Sequence, residues 1–506
     1  MDTTNLQSNT LVKAGLIAGV SLVLGLLFDY FFYEKIPGIS FPLYIILVIL
    51  GLFGIARFFK KRLSKDVLWL LVPLIFFSAM VFVRSSDLLT FLNVVTSLLL
   101  LLVITEVSFG EKMKNFLVAD YIKIFFLPFK FIRPLFQTLS NVFLLRDHKA
   151  LPQAVKGILM ALPILLVFLL LFSSADLIFQ KYISNLISVD IEPETILRSI
   201  LVLATTLVYI GAYTYSVREK QNRTFTQQNS KGYSVEHIES SILLGSVNVL
   251  FFVFILVQLT YLFAGESNIS AQGFTYAEYA RRGFFELIAV SIVSLLLLWS
   301  TEKYIVKKET NHALGFKILS TALVVQVILI MASAFTRLSL YEEAYGFTTL
   351  RLYSHAFIIL LAVVFCLLLY KIYKDRRENT FAFRVFVSIA LFLAVMNFLN
   401  PDTFIARRNI ERFAATGQLD IFYLSRLSSD AIPETIKVLD ISNEDLRNGF
   451  ARELYSRAHN GDSFYFSKWQ SLNLSRMKAD KILNSKMHEL EPYKNYQPQN
   501  IDSNAP

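Results

Sequence analysis

The sequence predicts an all-α fold, a polytopic transmembrane helical bundle of about eleven spans followed by a small helical extramembrane domain. Three observations lead to this prediction. Of the 506 residues, 55% are hydrophobic and only 17% are charged, whereas soluble globular proteins carry about 25% charged residues. The mean hydropathy is +0.52. Apolar runs of about 20 residues, the length that crosses a bilayer as a helix, recur along the chain.

The apolar runs predict eleven membrane-crossing helices. Most are uncharged stretches of about 17 residues or more, and they lack the polar stripe of the shorter helices in soluble cores. The first four form an amino-terminal region (1–110), and the other seven form a membrane core (155–400). The predicted spans are 14–33, 36–56, 67–83, 88–105, 157–175, 199–217, 240–263, 284–306, 313–336, 352–370 and 381–399.

The segment between these two regions, 111–154, predicts a cytoplasmic amphipathic helix in the membrane interface. Residues 121–145 are rich in Phe and Leu, but Lys123, Lys130 and Arg133 interrupt them. Their longest charge-free run holds 12 residues, which is too short to cross a bilayer. Basic residues interleaved with large apolar ones are typical of interfacial helices. The alternative is a further span, which would reverse the orientation of everything after it.

Charge counts in the connecting loops predict the orientation. If the amino terminus is cytoplasmic, the inside connections hold 25 Lys and Arg and the outside connections hold 7, as the positive-inside rule requires. With eleven spans, the carboxyl terminus is then extracytoplasmic. The region 401–506 has 14 basic and 14 acidic residues, so the net charge of +10 belongs to the membrane part. The expected partners are therefore membrane lipids and not nucleic acid.

After the last span the pattern changes from continuously apolar to amphipathic, which predicts a helical extracytoplasmic domain over 401–490. Asp402, Asp420 and Asp430 are each placed to cap a short helix. Residues 491–506 are rich in Pro, Asn and Gln, which predicts a disordered end. A neutral helical domain of this kind would suit binding of an envelope protein partner.

No motif assigns catalytic chemistry to the chain. It lacks a Walker-type glycine loop, HExxH and GxSxG sequences, and the Cys and His spacing of metal sites. The one cysteine, Cys366, lies in a predicted span, so no intramolecular disulfide can form. Of six dispersed histidines only His355 lies inside a span, where a lone histidine usually bonds a neighbour. We expect no cofactor and no metal, catalytic residues stay unassigned, and enzymatic activity stays an open question.

Three clusters of polar residues lie at predicted outside positions, and the first precedes the eighth span. Glu278, Arg282 and Glu286 are successive i,i+4 neighbours on one helix face, whereas Arg281 points elsewhere. A salt-bridged helix entry accounts for this pattern. The alternative is a binding site for an anion or a lipid headgroup that uses Arg281 and Arg282.

The second cluster surrounds a predicted short turn between the ninth and tenth spans. It contains Arg337, Glu342 and Arg351. The tyrosines beside them are typical interfacial anchors, but charged residues so close to the spans are harder to explain in that way. We therefore include these three residues in the candidate substrate-binding site.

The third cluster lies where the last span emerges. It contains Asp402, Arg408 and Asn409. An ordinary helical pair between Arg407 and Glu411 is the structural alternative there, because the two residues are four apart.

Several stretches in these clusters resemble a known family. They are TYAEYARRGFFE at 275–286, RLSLYEEAYGFTTLRLY at 337–353 and NIERFAATGQLDIFYLSRLSSDAIP at 409–433. Together they are similar to a bacterial family of multi-pass membrane proteins classed as a domain of unknown function, the four-one-five-three/four-one-seven-three group. The likeness covers roughly 150–440. It implies a bacterial envelope protein in the cell membrane, and it implies no established activity and no catalytic residue.

Three functions compete at this point. The first is transport, or lipid or anion handling, at the outer face, because clustered arginines suit phosphate or carboxylate groups. The second is a non-catalytic envelope sensor or assembly factor, which the neutral helical tail would suit. The third is a membrane-embedded transferase with an acid or base among Asp29, Glu34, Glu278 and Glu342.

Overall fold

The computed structural model describes most of the chain, and what it describes is helical, without a β-strand. This confirms the predicted all-α class. The described residues are 3–109, 112–142, 193–217, 237–262, 284–304, 310–374, 377–460 and 468–496, with a few single positions between 165 and 181.

Four long helices form the amino-terminal unit. The third begins where the Ser64 hydroxyl accepts a hydrogen bond from the Asp66 backbone N–H at 3.2 Å, as a helix N-cap does. All four are long and apolar enough to cross a membrane. They are α1 (Thr3–Phe32), α2 (Ser40–Phe58), α3 (Lys65–Val83) and α4 (Asp87–Val107).

Three short helices follow, and none of them is long enough to cross a membrane. They are α5 (Val118–Ile124), α6 (Leu127–Lys130) and α7 (Ile132–Val142). Pro128 lies in the first turn of α6, where its missing N–H does no harm, whereas in a continuous helix it would break the bonding. The location of this segment at the membrane surface stays a prediction.

Six further long helices complete the described membrane part. Together with α1 to α4 they give ten helices among the described residues that could span a membrane, and these match ten of the eleven predicted spans. Of the remaining predicted span, 157–175, the structure describes only four single positions, and the rest lies outside the described residues. The six helices are α8 (Pro193–Val217), α9 (His237–Leu262), α10 (Phe284–Tyr304), α11 (Thr310–Tyr345), α12 (Thr349–Lys374) and α13 (Glu378–Leu399).

The tail domain, which we define as 401–460 with 468–496, is built from short helices. Asp420 caps one of them as predicted, since its carboxylate accepts from the Tyr423 N–H at 2.8 Å. Asp402 and Asp430 do not act as predicted, because Asp402 lies inside a first turn and the Asp430 carboxylate bonds to another part of the chain. The helices are α14 (Pro401–Thr416), α15 (Ile421–Arg426), α16 (Ile432–Thr435), α17 (Glu444–Asn460), α18 (Leu474–Ser485) and α19 (Met487–Leu490).

The tail domain packs against one end of the bundle, which we call the tail end. The Ile39 N–H, between α1 and α2, donates to the Leu472 carbonyl at 2.9 Å. The α3–α4 connection bonds to Asp430, and the α11–α12 connection bonds to α14. Three connections that the charge pattern predicts on one side of the membrane therefore lie together with the tail. Which side of the membrane this is stays a prediction.

Apolar packing divides the described membrane part into two cores. One combines buried residues of α1 to α4 with residues of α8, such as Ile210. The other combines α9 to α12. Helix α13 contributes to both, since Phe386 packs against the first core and Phe381 belongs to the second. A third core lies in the tail domain and includes Leu352 from α12.

Candidate binding site between the tail and the bundle

The Asp430 carboxylate joins the tail domain to the bundle. Its side chain is fully buried. Oδ2 accepts from the backbone N–H groups of Ser85 at 2.6 Å and Ser86 at 3.0 Å. Oδ1 accepts from the Ser475 hydroxyl at 2.5 Å and lies 3.6 Å from Nη1 of Arg84. A buried carboxylate is stable only when such donors replace its hydration, so this cluster fixes the tail to the α3–α4 connection.

A second set of bonds continues this junction from the segment before α18. The Asn473 side-chain amide donates to the carbonyls of Val81 at 3.1 Å and Arg84 at 2.8 Å. These carbonyls lie at the end of α3, where the last carbonyl groups of a helix have no N–H donor within the helix. The tail therefore terminates α3.

The tail also binds the turn between α11 and α12. The Phe347 N–H donates to Oδ1 of Asn409 at 2.7 Å, and Nδ2 of Asn409 donates to the Phe347 carbonyl at 2.9 Å. Nε of Arg412 donates to the Glu343 carbonyl at 2.7 Å. Gly346 has a φ of +83°, and a Cβ there would lie 2.7 Å from Oδ1 of Asn409. Only glycine fits both the left-handed backbone and this close approach.

A cavity of about 900 Å³ lies between the tail domain, the start of α4 and the start of α12. We call it the junction cavity. Its lining is strongly polar, with six serines, three arginines and four carboxyl groups. They are Ser85, Ser86, Ser425, Ser428, Ser429, Ser456, Arg426, Arg457, Arg476, Asp87, Asp402, Glu453 and Asp480.

Arg457 on α17 brings a positive charge into this lining. Its Nη1 donates to the Leu427 carbonyl at 2.6 Å and the Ser425 carbonyl at 3.3 Å, and Nη2 lies 3.3 Å from Oγ of Ser429. Among the described residues, no carboxylate lies within 4.0 Å of its guanidinium nitrogens. Burial lowers the pKa of Arg457, and the fields of Asp402 and Asp480 oppose that shift. A partly buried cation without an ion-pair partner is suited to a negatively charged ligand.

Two carboxyl groups of the cavity are less acidic than usual. Burial raises the pKa of Asp402, against bonds from Ser428, whose N–H donates to Oδ2 of Asp402 at 3.2 Å. Burial also raises the pKa of Asp480, against the fields of Arg457 and Arg476. Both shifts have the same cause, because desolvation disfavours the charged form of an acid.

The first predicted cluster cannot be placed beside this cavity. Glu278, Arg281 and Arg282 lie outside the described residues. Glu286 is exposed in the first turn of α10.

The second predicted cluster needs a correction. Helix α11 continues to Tyr345, so Arg337 and Glu342 lie on the helix, and the turn between the spans is only 346–348. The helix extends this far because its last turns are packed, with Glu342 buried. Arg351 stacks on the Tyr341 ring at 4.0 Å and donates to the Gly346 carbonyl. These side chains support the turn that the tail binds.

The third predicted cluster divides between the tail contacts and the surface. Asp402 lines the junction cavity, and Asn409 holds the α11–α12 turn. Arg408 is exposed and pairs with Glu411 at 3.1 Å. The expected helical pair is thus made by Arg408 and not by Arg407.

Two residues central to the site were missed by the sequence analysis. Asp430 received only a capping role, and Arg457 received none. Asp430 binds Ser85, 345 residues away in the chain, and Ser475, 45 residues away, so local spacing cannot reveal these partners. One signal existed, because Asp430 lies inside a stretch, 409–433, that carries the family resemblance.

A comparison with known protein families assigns the chain to one of them. A family model described as a domain of unknown function, DUF4153, matches residues 71–438. The chain belongs to the DUF4153 family. The match confirms the resemblance and extends it towards the amino terminus, from about 150 to 71, so that it includes α4 and most of α3. No curated protein and no solved structure matches the chain. Ser85, Asn409 and Asp430 lie in the DUF4153 region, whereas Arg457 follows it.

Proposed function

We propose that this DUF4153 protein handles a phosphate-bearing ligand at the membrane surface, either a lipid headgroup or a free anion, and that the junction cavity binds it. The observation that carries this proposal is the Arg457 guanidinium in a polar cavity of about 900 Å³, with no carboxylate in ion-pair contact among the described residues. A guanidinium group donates to phosphate oxygens in a fixed planar geometry, and serine hydroxyls can donate further hydrogen bonds to them.

The position of the cavity supports a headgroup as the source of the phosphate. Asp87 and Thr349, which line it, are the first residues of α4 and α12. The cavity is therefore level with the ends of the spans, where the headgroups of a bilayer lie.

We further propose that the protein lies in the bacterial cell membrane with its amino terminus in the cytoplasm and its tail outside. The excess of Lys and Arg in the predicted inside loops supports this orientation. The junction cavity would then face the outer leaflet, and membrane lipids would be its partners.

Reconstituted full-length protein provides the test. Scrambling of a fluorescent phosphatidylglycerol is measured in phosphatidylglycerol vesicles, and uptake of inorganic phosphate is measured in phosphatidylcholine vesicles. Arg457→Gln is expected to lower the rate of scrambling or uptake, whichever the wild-type protein shows, about tenfold, which corresponds to loss of one charge-assisted interaction. Arg452→Gln is the matched control, because Arg452 is exposed on the same helix, and it should leave the rate unchanged.

The two arms separate the possible sources of phosphate. Activity in the first arm alone identifies a lipid headgroup, and activity in the second alone identifies a free anion. If the wild-type protein is inactive in both arms, or if Arg457→Gln keeps the wild-type rate, the proposal is wrong.

A second candidate is an envelope sensor or assembly factor. The observation that favours it is that the tail holds the connections α1–α2, α3–α4 and α11–α12 together. A partner that binds the tail would thereby act on the membrane helices. An envelope protein that co-purifies with the full chain and is lost when 401–506 is deleted, with both vesicle arms silent, would favour this role.

A further inference from the structure

A groove of about 380 Å³ lies between α1 and α8, and we call it the α1–α8 groove. Both helices are long and apolar enough to cross a membrane. Three leucines that line the groove, Leu22, Leu26 and Leu203, are each about half exposed. Because exposed apolar side chains of a membrane-crossing helix face lipid, the groove opens sideways into the bilayer. Its volume lies within the range of about 300–1,000 Å³ that is common for ligand sites.

A close contact between the two helices positions the walls of this groove. Gly25 of α1 lies against the backbone of α8, so that a Cβ on Gly25 would be 2.8 Å from the carbonyl oxygen of Val202. Small residues allow two membrane helices to approach in this way. The larger side chains that follow these two residues, Leu26 and Leu203, line the groove beside the contact.

The groove is polar at one end and apolar beyond it. Its α8 residues are spaced three and four apart, so they share one helix face, which is about 16 Å long. The polar end is the tail end, because Asp29, which bonds to Arg198, lies three residues before the end of α1. From that end the lining residues of α8 are Thr195, Arg198, Ser199, Val202, Leu203 and the buried Thr206, and those of α1 are Leu26 and Leu22.

The depth of this polar end matches the headgroup layer of a bilayer. Arg198 follows Pro193, the first residue of α8, by five residues, which is about 8 Å along the helix axis. The headgroup layer on each side of the hydrocarbon core is about 5–8 Å thick. The polarity of the groove therefore changes with depth as that of a phospholipid does.

The charges at the polar end favour a ligand that carries a positive group. Nη2 of Arg198 lies 2.6 Å from Oδ2 of Asp29, and Nη1 lies 3.6 Å from Oε1 of Glu194. Within ion-pair distance, the described residues thus place one guanidinium between two carboxylates. The Asp29 side chain is only 11% exposed, whereas that of Glu194 is 49% exposed. Glu194 is therefore the carboxylate that a cation from outside can reach.

We propose that the α1–α8 groove binds one phospholipid with an amine in its headgroup, from the leaflet at the tail end. The ammonium group lies beside Glu194, and the phosphate accepts hydrogen bonds from Thr195 and Arg198. One acyl chain follows Leu26 and Leu203 into the bilayer. A phospholipid without the ammonium group would place its negative charge near Glu194 with no cation between them. This inference does not depend on the junction cavity, which has a different lining.

Lipid retention in detergent tests the binding. Full-length protein is reconstituted with equal amounts of phosphatidylethanolamine and phosphatidylglycerol of the same acyl chains, extracted into a mild detergent, and analysed by native mass spectrometry. The wild-type protein is expected to retain one phosphatidylethanolamine per chain. Leu203→Trp fills the groove and should lose this lipid. Leu197→Trp is the matched control, because Leu197 is equally exposed on the same helix but does not line the groove, and it should keep the lipid.

The headgroup is tested by a second substitution. The wild-type protein should retain phosphatidylethanolamine about fivefold more than phosphatidylglycerol, which corresponds to one partly exposed ion pair. Glu194→Gln should bring this ratio to about one. Glu343→Gln is the control, because Glu343 is an exposed carboxylate at the same end of the bundle but outside the groove, and it should keep the wild-type ratio.

Three results would overturn the proposal: a wild-type protein that retains no lipid, one that retains phosphatidylglycerol as well as phosphatidylethanolamine, or a Leu203→Trp variant that keeps the wild-type lipid. The unfolding temperature of each variant in detergent shows whether it folds. If Leu203→Trp does not fold, Leu26→Trp fills the groove from α1 and allows the same comparison. Because lipid retention is measured without scrambling or phosphate uptake, this test can fail while the proposed function holds, and the reverse is also true.

Discussion

Replacement of Asp430 by asparagine is the most informative perturbation of the tail junction. The substitution keeps the shape of the side chain but removes its charge. Three short hydrogen bonds reach the carboxylate, from the N–H groups of Ser85 and Ser86 and from the hydroxyl of Ser475. Bonds to a charged acceptor contribute about 1.5–3 kcal/mol each, and bonds to a neutral acceptor contribute about 0.5–1.5 kcal/mol. The expected loss is therefore about 1 kcal/mol per bond, or about 3 kcal/mol for docking of the tail.

Hydrogen exchange of backbone amides measures this loss directly. The N–H groups of Ser85 and Ser86 exchange only when their bonds to Asp430 open. A loss of about 3 kcal/mol corresponds to roughly 150-fold faster exchange, since 1.4 kcal/mol is a factor of ten. The measurement is made by mass spectrometry on the full chain in nanodiscs.

A matched substitution separates docking from general destabilisation. Asp420→Asn changes an exposed helix cap in the same domain, so its effect should stay within α15. If Asp430→Asn accelerates exchange at Ser85 and Ser86 less than about threefold, the carboxylate does not fix the tail and the reasoning is refuted.

Three further predictions concern stability, measured by thermal unfolding in detergent. The side-chain amides of Asn93 on α4 and Asn397 on α13 form two reciprocal hydrogen bonds of 2.8 Å, so each alanine substitution should lower the free energy of unfolding by about 1 kcal/mol. The double variant should lose less than the sum of the two single losses, and strict additivity would contradict the pairing. Gly346→Ala should destabilise by about 1–2 kcal/mol because of its positive φ, whereas Gly54→Ala, with nothing within 4 Å of its added Cβ, should not; equal effects would contradict the steric argument. The pKa of Asp402 is raised in the folded protein. Its contribution to the free energy of unfolding is therefore fully present below its usual pKa of 3.8 and is lost as the pH rises through the raised pKa. As the pH rises above 3.8, the free energy of unfolding of Asp402→Asn should therefore increase relative to that of the wild type, and a relative decrease with rising pH would contradict the burial of the charge.

The membrane part follows from the sequence because its physics is local. A run of apolar residues must form its own backbone hydrogen bonds in lipid, whatever its neighbours are. For this reason 67–83 was predicted almost as the structure has it, Lys65–Val83. The prediction was less accurate where tertiary contacts decide the end of a helix. The ninth span was expected to end at 336, but α11 continues to Tyr345 because Leu338 and Glu342 remain buried beyond the apolar run.

The candidate site could be predicted only in part. Asn409 and Asp402 were selected because polar residues crowd the exit of the last span. Asn409 bonds across the junction, and Asp402 lines the junction cavity. The junction cavity itself is formed by segments as distant as Ser85 and Arg476. Their proximity depends on how the tail folds back, which no spacing along the chain encodes. His355 was judged a lone histidine because Glu342, whose Oε2 lies 3.3 Å from its Nδ1, is on the preceding helix, across the turn.

A single residue joins the last long helix, α13, to the first tail helix, α14. Helix α13 ends at Leu399, Asn400 alone turns the backbone with a φ of 52°, and Pro401 already begins α14. Since a one-residue connection allows little independent rotation, any tilt of α13 within the bilayer must also move α14. The tail domain is thus mechanically a continuation of the bundle, and two or three inserted glycines after Asn400 would uncouple the two.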